Sequence, residues 1–265
     1  MKALHSLRFA SRLVAFVINT VVCWICLELS IFLWRRRPRI DWINFWVPRW
    51  AKINLWIFGV AVQRHGPHLD DGRLYPRRGE NGVGRIFLAN HSSGLDIPII
   101  FVIAEAHCIS RHDVADWPLI GPGAKRVGTL FVDRRSSKSG ASVLKEVKEV
   151  RAEGEAVCMF PEGTVSSGDE VQRFRNGAFN AARRADAEIV PIGIAYGHDA
   201  AYYGKEKFMV HIKRVASMRR RHVAVEAGEP IPPGEGSSME VKDEAHDRVQ
   251  ELVNRGRERL ESMQA

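Results

Sequence analysis

An apolar segment near the N-terminus most restricts what this chain can fold into. The 22 residues from Leu13 to Trp34 are mostly apolar, and Arg12 and Arg35 flank them. As a helix that rises about 1.5 Å per residue, this segment is long enough to cross a hydrocarbon core about 30 Å thick. A buried helix of a soluble protein is rarely flanked by so many arginines. The segment therefore predicts contact with a membrane.

A second segment, Trp42 to Val62, is less apolar and contains Pro48, which disrupts helices. At 100° per residue, one narrow arc of its surface collects large apolar side chains. These are Trp42, Trp46, Trp50, Ile53 and Ile57. This pattern predicts an amphipathic helix at the membrane interface with an aromatic belt.

The two apolar segments leave the mode of membrane attachment open. A cleaved signal peptide is disfavoured, because the first segment ends in Arg35–Arg37 without a small-residue cleavage site. One spanning helix and a two-helix anchor in one leaflet both fit. The two-helix anchor explains why arginines crowd the link between the two segments, because a spanning hairpin would place them on the outer side of the membrane. We expect residues 13–62 to bind the inner, cytoplasmic membrane, with the rest facing the cytoplasm.

The charge distribution supports this division of the chain. The net charge is +8, and residues 1–60 hold nine basic and two acidic side chains, which gives +7. Only +1 is left for the other 205 residues, so nucleic-acid binding loses its main support. A basic N-terminus instead suits an anionic membrane surface. The four cysteines do not suggest a disulfide framework.

From residue 63 onward, short apolar runs alternate with helical patterns. The predicted strands are Arg85–Ala89, Thr129–Val132, Ala156–Phe160, Ile189–Ile194, Phe208–Ile212 and Val223–Ala227. Helices are predicted over Ser139–Glu153 and in the tail, where Ser237 and Glu240 have capping-box spacing. We expect a membrane anchor at 1–62 and an α/β domain at 63–265, with a mixed, largely parallel sheet covered by helices. Ligands of such sheets bind beyond the carboxyl ends of the strands.

A histidine and an aspartate follow the first strand of this domain. On one continuous helix His91 and Asp96 would point 140° apart, so they meet only if Ser92–Gly94 turn the chain first. Asp96 would then accept a hydrogen bond from Nδ1–H of His91 and leave Nε2 free as a base near neutral pH. The alternative is that Asp96 caps the next helix and His91 is an ordinary loop histidine.

Three further segments carry candidate site residues. Gly128–Arg135 ends a strand in arginines, which suit a phosphate. Phe160–Thr164 follows another strand and presents a carboxylate on a Pro/Gly turn, while Val190–Ile194 is an apolar strand in which Pro191 lacks a ladder donor. The first two, like His91, sit at a predicted carboxyl end, where one pocket could collect them.

These four segments, in this order, resemble the motif blocks of the glycerolipid acyltransferase family. The matching residues are Asn90-His91-x-x-x-x-Asp96 (an HX4D motif), Gly128-x-x-Phe131-Val132-Asp133-Arg134, Phe160-Pro161-Glu162-Gly163-Thr164 and Val190-Pro191-Ile192-Gly193. Phe174–Phe179 also looks like the stretch that follows the third block in the family. The resemblance covers roughly residues 60–230 and implies the glycerolipid acyltransferase fold.

The resemblance implies a reaction and a role for each matching residue. A fatty acyl group would move from acyl-CoA or acyl-carrier protein to the free hydroxyl of lysophosphatidate, giving phosphatidate in phospholipid biosynthesis. By this analogy His91 is the general base and Asp96 orients it. The implied substrate-binding residues are Arg134, Phe160, Glu162, Gly163, Thr164 and Pro191, of which Arg134, Glu162 and Gly163 would hold the glycerol phosphate. Neither a cofactor nor a metal is implied.

Other functions fit parts of the same pattern. The acceptor could be another lysolipid, such as a lyso-ornithine lipid or a lysophospholipid. The chain could also be a non-enzymatic protein that binds anionic lipid, or a hydrolase that uses the same dyad. A covalent acyl-enzyme is disfavoured because the sequence has no Gly-x-Ser-x-Gly elbow. The histidines show no zinc-type spacing.

Overall fold

The structure of the protein is a computed structural model. It describes residues 2–133, 137–177, 179–180, 186–204, 206–233 and 237–263. The helices are α1 (Lys2–Leu33), α2 (Arg39–Ile57), α3 (Asp96–Ile103), α4 (Ile120–Arg126), α5 (Ser137–Ala152), α6 (Phe208–Ser217) and α7 (Ser238–Ser262). The strands are β1 (Val60–His65), β2 (Ile86–Ala89), β3 (Ala106–Arg111), β4 (Leu130–Val132), β5 (Ala156–Met159), β6 (Ile189–Tyr196) and β7 (Arg221–Ala227).

The strands form one sheet in the order β1-β7-β6-β2-β5-β3-β4. Every neighbouring pair is parallel except β6 and β7, which are antiparallel. Five strands therefore point the same way, and their carboxyl ends meet at one edge of the sheet. The predicted mixed, largely parallel sheet covered by helices is confirmed.

Helices cover both faces of the sheet, and strand β2 shows how they share it. Phe87 and Ala89 face one core, to which α2 contributes Ala51 and Leu55. Ile86 and Leu88 alternate with them and face a second core, which receives apolar side chains from α5 and α7 (Val143, Val147, Val249 and Val253). A strand buried on both faces reads as a continuous apolar run, which is why β2 was recognisable from its sequence.

The N-terminal helices pack against each other through polar contacts inside an apolar interface. Asn19 donates to the side-chain oxygen of Asn54 at 3.0 Å. The indole N–H of Trp50 donates to the hydroxyl of Thr20, and that of Trp46 to the hydroxyl of Ser30, both at 3.1 Å. Trp46 and Trp50 of the predicted aromatic belt are thus half-buried against α1, and the role of this arc at a membrane interface stays a prediction. Buried indole N–H groups require acceptors, and α1 supplies them.

Three other local predictions differ from the structure. Helix α2 was expected to reach Val62, but Gly59, with φ of 71°, breaks it, and Val60 begins β1. Strand β3 was not predicted, because the polar residues within it obscure a strand pattern. Phe208–Ile212 was predicted as a strand but begins helix α6, since a short apolar run fits either element.

The fourth motif block has a packing role in β6. A side chain at Gly193 would place its Cβ 2.5 Å from the Leu252 carbonyl carbon and the Val253 nitrogen, both backbone atoms of α7. The bare glycine therefore lets α7 lie directly on β6. Pro191 is in register with Leu88 of β2, and its carbonyl accepts from Gly228 at 2.9 Å, just beyond the end of β7. The missing proline N–H thus falls where the β6–β7 ladder ends.

We predict that Gly193→Ala destabilises the fold by about 1–3 kcal/mol, because the backbone of α7 must move. Urea unfolding of the detergent-solubilised protein measures this change. Gly177→Ala is the matched control, since no atom lies within 4 Å of its Cβ position. Equal unfolding midpoints for the two variants would contradict the packing argument.

Candidate active site

The carboxyl ends of β2, β5 and β6 bring distant segments of the chain to one place. Strand β2 lies between the other two, so the segments after Ala89, Met159 and Tyr196 are neighbours. The first and third motif blocks follow β2 and β5. The side-chain amide of Asn90 joins β2 to β6, because it donates to the Ile194 carbonyl at 2.9 Å and accepts from its N–H at 2.8 Å.

His91 and Asp96 are paired. Nδ1 of His91 lies 2.7 Å from Oδ2 of Asp96. The backbone N–H groups of Ser92 and Ser93 donate to the same oxygen, each at 2.8 Å. Asp96 is the first residue of α3, yet its carboxylate binds amides that precede the helix. The turn through Ser92–Gly94 thus brings the two side chains together, as the sequence requires for a dyad.

The imidazole of His91 is held on one side and accessible on the other. The ring of Phe160 stacks on it, with centroids 4.3 Å apart and planes 22° apart. The His91 side chain retains 15% exposure, whereas Asp96 has none. Among the described residues, only Asp96 hydrogen-bonds to the imidazole. Its Nδ1–H therefore points to the carboxylate, and Nε2 is left with a lone pair that can take a proton from a substrate.

Glu162 ties the third block to the backbone of the first. Its Oε1 accepts from the His91 N–H at 2.6 Å, and its Oε2 accepts from the Gln172 N–H at 3.0 Å. Burial raises the pKa of Glu162, and these two backbone donors oppose the shift. The His91 carbonyl accepts from the N–H of Ser166 at 2.8 Å, so the loop after β5 holds both backbone groups of the histidine.

Gly163 and Thr164 lie in the same turn. Gly163 has φ of 68°, and an added Cβ would stand 2.4 Å from Nε of Arg175. The missing side chain therefore lets the guanidinium of Arg175 lie over the turn that carries Glu162. Thr164 is exposed. From the sequence alone, Arg175 is only one residue of the stretch after the third block, and the motif match gives it no role.

The remaining predicted residues are not brought into contact with His91. Pro191 is buried inside β6, five residues before its carboxyl end. Arg134 lies outside the described residues. Strand β4, which precedes Arg134, is at the far edge of the sheet, with β3 between it and β5. The second block thus shares the carboxyl-end edge with the first and third, two strands away from β5.

Two buried side chains at the dyad were missed by sequence reasoning. The hydroxyl of Tyr196 donates to Oδ1 of Asp96. Nε2 of His211 accepts from the N–H of Gly94 at 3.1 Å, and burial lowers the pKa of His211 to about 4. The ring is therefore neutral near pH 7. A tyrosine at the end of an apolar strand was a usable signal, because a buried hydroxyl needs a partner. His211 offers no such signal, because its short apolar segment fits a strand as well as a helix.

An apolar cavity of about 160 Å³ is lined in part by helix α3, which begins at Asp96. Its lining includes Ile97 and Phe101 of α3 and side chains of the N-terminal helices. Further lining residues are Cys23, Trp24, Leu27, Trp46, Val47, Trp50, Leu119 and Ile120. The cavity thus lies between the anchor helices and the α/β domain, and its chemistry suits a hydrocarbon chain.

A histidine base on a buried carboxylate can deprotonate a hydroxyl, and the apolar cavity beside α3 can hold a hydrocarbon chain. Residues 75–195 match the model of the Acyltransferase family. The resemblance drawn from the motif blocks is thereby confirmed.

Relatives of known name fall into two groups. The chain is 31% identical over 153 residues to the lyso-ornithine lipid O-acyltransferase of Pseudomonas aeruginosa, a match that covers 56% of this chain and 59% of that protein. It is 30% identical over 128 residues to the 1-acyl-sn-glycerol-3-phosphate acyltransferase of Neisseria meningitidis, with 48% and 49% covered. The matches thus span about half to three fifths of these relatives.

A solved structure shows the same fold over nearly the whole chain. The crystal structure of the 1-acyl-sn-glycerophosphate acyltransferase PlsC from Thermotoga maritima superposes with a TM-score of 0.66. The superposition covers 92% of this chain and 97% of that one, at 18% identity. The family and the apolar α1 together indicate that this protein associates with a membrane.

We predict that Glu162→Gln lowers kcat about tenfold, because one amide N–H₂ would face a backbone N–H that needs an acceptor. The substitution also imitates protonation, which burial favours at Glu162. Acyl transfer at saturating substrate measures the effect. Glu170→Gln, an exposed carboxylate in the same loop, is the control. If both variants kept wild-type kcat, Glu162 would not be needed to hold His91.

Proposed function

We propose that this protein transfers a fatty acyl group from a thioester to the free hydroxyl of a lysolipid, with lysophosphatidate as the acceptor. The observation that carries the proposal is the His91–Asp96 pair, 2.7 Å apart at the edge of the sheet and with Nε2 free of described partners. The matching Acyltransferase family supports the same reaction.

The reaction follows from the placement of the base. Nε2 of His91 takes the proton of the acceptor hydroxyl as the oxygen attacks the thioester carbonyl. Asp96 stabilises the imidazolium that forms. When the tetrahedral intermediate collapses, the carbon–sulfur bond breaks and His91 returns the proton to the departing thiolate. The acyl group passes directly between substrates, so no enzyme nucleophile and no cofactor is needed.

A phosphate group on the acceptor could bind the arginine near the third block. Arg175 lies over Gly163, in the turn that holds His91 through Glu162. By analogy with the family, Arg134 of the second block would supply a further guanidinium. Guanidinium groups bind phosphate oxygens through paired hydrogen bonds, which favours lysophosphatidate.

A lyso-ornithine lipid is the second candidate acceptor. The relatives from Pseudomonas aeruginosa and Rhizobium meliloti, 31% and 28% identical, are both named lyso-ornithine lipid O-acyltransferases. Such a lipid carries a carboxylate and an amine instead of a phosphate. Because guanidinium groups also bind carboxylates, the cations at the site serve either acceptor, and the choice requires direct comparison.

The apolar cavity supports a long acyl chain as a substrate group. Its lining includes Ile97 of α3 and apolar side chains of α1 and α2. A fatty chain placed there would lie against the helix that begins at Asp96. The donor would be acyl-CoA or acyl-carrier protein, both of which present such a chain as a thioester.

Contacts at both ends of α1 favour an anchor in one leaflet over a spanning helix. Near the N-terminus, Arg12 donates to the carbonyls of Ala216 and Met218 at 3.0 and 2.6 Å. Sixteen residues later, about 24 Å along the helix, Glu28 pairs with Arg126 of α4. Both ends of the apolar segment therefore touch the α/β domain, which a helix crossing to the other side could not do.

The face of α1 that points away from the domain is apolar. Exposed side chains recur at helical spacing of three or four residues. They are Val14, Ile18, Val22, Ile25, Leu29 and Phe32. This stripe would enter one leaflet, and the catalytic domain would stay on the cytoplasmic side. The dyad would then face the surface in which its lipid substrates lie.

We predict that the purified protein releases CoA thiol from acyl-CoA only when a lysolipid is present. The His91→Ala variant should be slower by about 10²–10⁴-fold, which is the contribution of a positioned general base. The assay compares lysophosphatidate, lyso-ornithine lipid and lysophosphatidylcholine as acceptors in the same micelles. Thermal unfolding of the variant checks that its fold is intact.

Each outcome of this assay supports or contradicts the proposed function. The highest kcat/KM with lysophosphatidate supports our proposal, and the highest with lyso-ornithine lipid supports the second candidate. Thiol release without any acceptor would indicate a hydrolase. Wild-type turnover in folded His91→Ala would remove the base mechanism.

We predict that both ends of α1 react from the same side of a vesicle. Single cysteines at Ser6 and Arg36, in a chain whose native cysteines are changed to alanine, are treated with a membrane-impermeant maleimide. Ser167→Cys, in an exposed loop, reports the side of the catalytic domain. All three should be labelled together. Labelling of the two ends from opposite sides would establish a spanning helix.

A further inference from the structure

The buried carboxylate of the dyad has a partner that belongs to none of the motif blocks. Oδ2 of Asp96 is occupied by the His91 imidazole and the amides of Ser92 and Ser93. Its other oxygen, Oδ1, accepts from the hydroxyl of Tyr196. Both Asp96 and Tyr196 are fully buried. The carboxylate is therefore surrounded by donors. One of them, the hydroxyl of Tyr196, can be removed by a substitution that keeps the ring.

Tyr196 is held as a donor by its surroundings. Burial and the neighbouring Asp96 raise the pKa of Tyr196 well above its ordinary value, so the phenol keeps its proton. The residue ends β6, whose ladder with β2 and β7 fixes the position of its backbone. The ring of Tyr202 packs edge-on against it at 5.8 Å. The hydroxyl can thus set the orientation of the carboxylate.

We propose that Tyr196 is a positioning residue for the general base: its hydroxyl fixes Oδ1 of Asp96 so that Oδ2 faces Nδ1 of His91. This inference rests on the proposed acyl transfer. The hydrogen bond also withdraws negative charge from the carboxylate, which limits how strongly Asp96 favours the protonated imidazole. Tyr196 therefore sets both the geometry of the dyad and the pH below which the base becomes inactive.

Of the other titratable groups near the dyad, Cys158 and His211 are neutral near pH 7, and Glu162 is common to the wild type and the variants. Cys158 of β5 faces Asp96, and burial raises the pKa of its thiol well above the ordinary value. His211 of α6 has a pKa of about 4. Glu162 approaches His91 from the turn after β5, and its raised pKa is common to the wild type and any Tyr196 variant. A difference between their pH profiles at neutral pH therefore reports on the dyad.

The test is Tyr196→Phe, which removes one oxygen atom and keeps the ring. We expect kcat to fall about tenfold, which corresponds to about 1.4 kcal/mol in the activation free energy. The KM for the acceptor should change less than twofold. The acidic limb of kcat/KM should move to higher pH by about half a unit, because a carboxylate that has lost a donor holds the protonated imidazole more strongly.

Tyr75→Phe is the matched control. It removes a buried hydroxyl that donates to the Gly228 carbonyl at 3.1 Å, away from the dyad. Its kcat and acidic limb should equal those of the wild type, even if its melting temperature falls. A merely structural role of Tyr196 predicts the same result for both variants.

A second variant covers the case in which Tyr196→Phe does not fold. With 3-fluorotyrosine at position 196, the phenol is more acidic and donates more strongly, so the acidic limb should move to lower pH. An unmoved limb in a folded variant of either kind would overturn the proposal. Failure of the proposed function is separate, since it would appear as a wild-type protein that acylates no lysolipid.

Discussion

The carboxylate of Asp96 is the interaction on which the site depends. A carboxylate in a fully buried position is stable only if donors surround it, and here the turn after β2, the histidine and the end of β6 each supply one or more. The same hydrogen bonds turn the chain between His91 and Asp96, which a helix would hold apart. Satisfying one buried charge therefore builds the turn, sets the histidine tautomer and joins three segments of the chain.

The location of the site could be predicted from the sequence because its residues follow strands. His91 and Glu162 come directly after apolar runs, and parallel neighbours bring such positions to one edge. The residues that the sequence did not reveal are held by tertiary contacts. Tyr196 and His211 meet the dyad turn from 100 and 117 positions away, and which side chain arrives there depends on strand register and helix packing. Local patterns carry no information about either.

The same reasoning explains the errors in the fold. Strand β3 carries His107, Ser110 and Arg111, and it is a strand because β5 and β4 offer it ladders on both sides. The aromatic arc of α2 forms one face of its helix, but the sequence does not identify the neighbour of that face. A tryptophan arc fits a lipid interface or a neighbouring helix equally well, and here Trp46 and Trp50 donate to hydroxyls of α1.

The contacts of α6 make the anchor part of the folded body. At its C-terminal end, carbonyls of α6 accept from Arg8 and Arg12 of α1. About one and a half turns earlier on the same helix, Nε2 of His211 accepts from the N–H of Gly94. Cutting the chain after α2 would strip the donors from those carbonyls and remove Ala51 and Leu55 from the main core. A fragment that lacks the first two helices therefore loses part of its core along with its anchor. A water-soluble version of this protein would need other residues in place of α1 and α2.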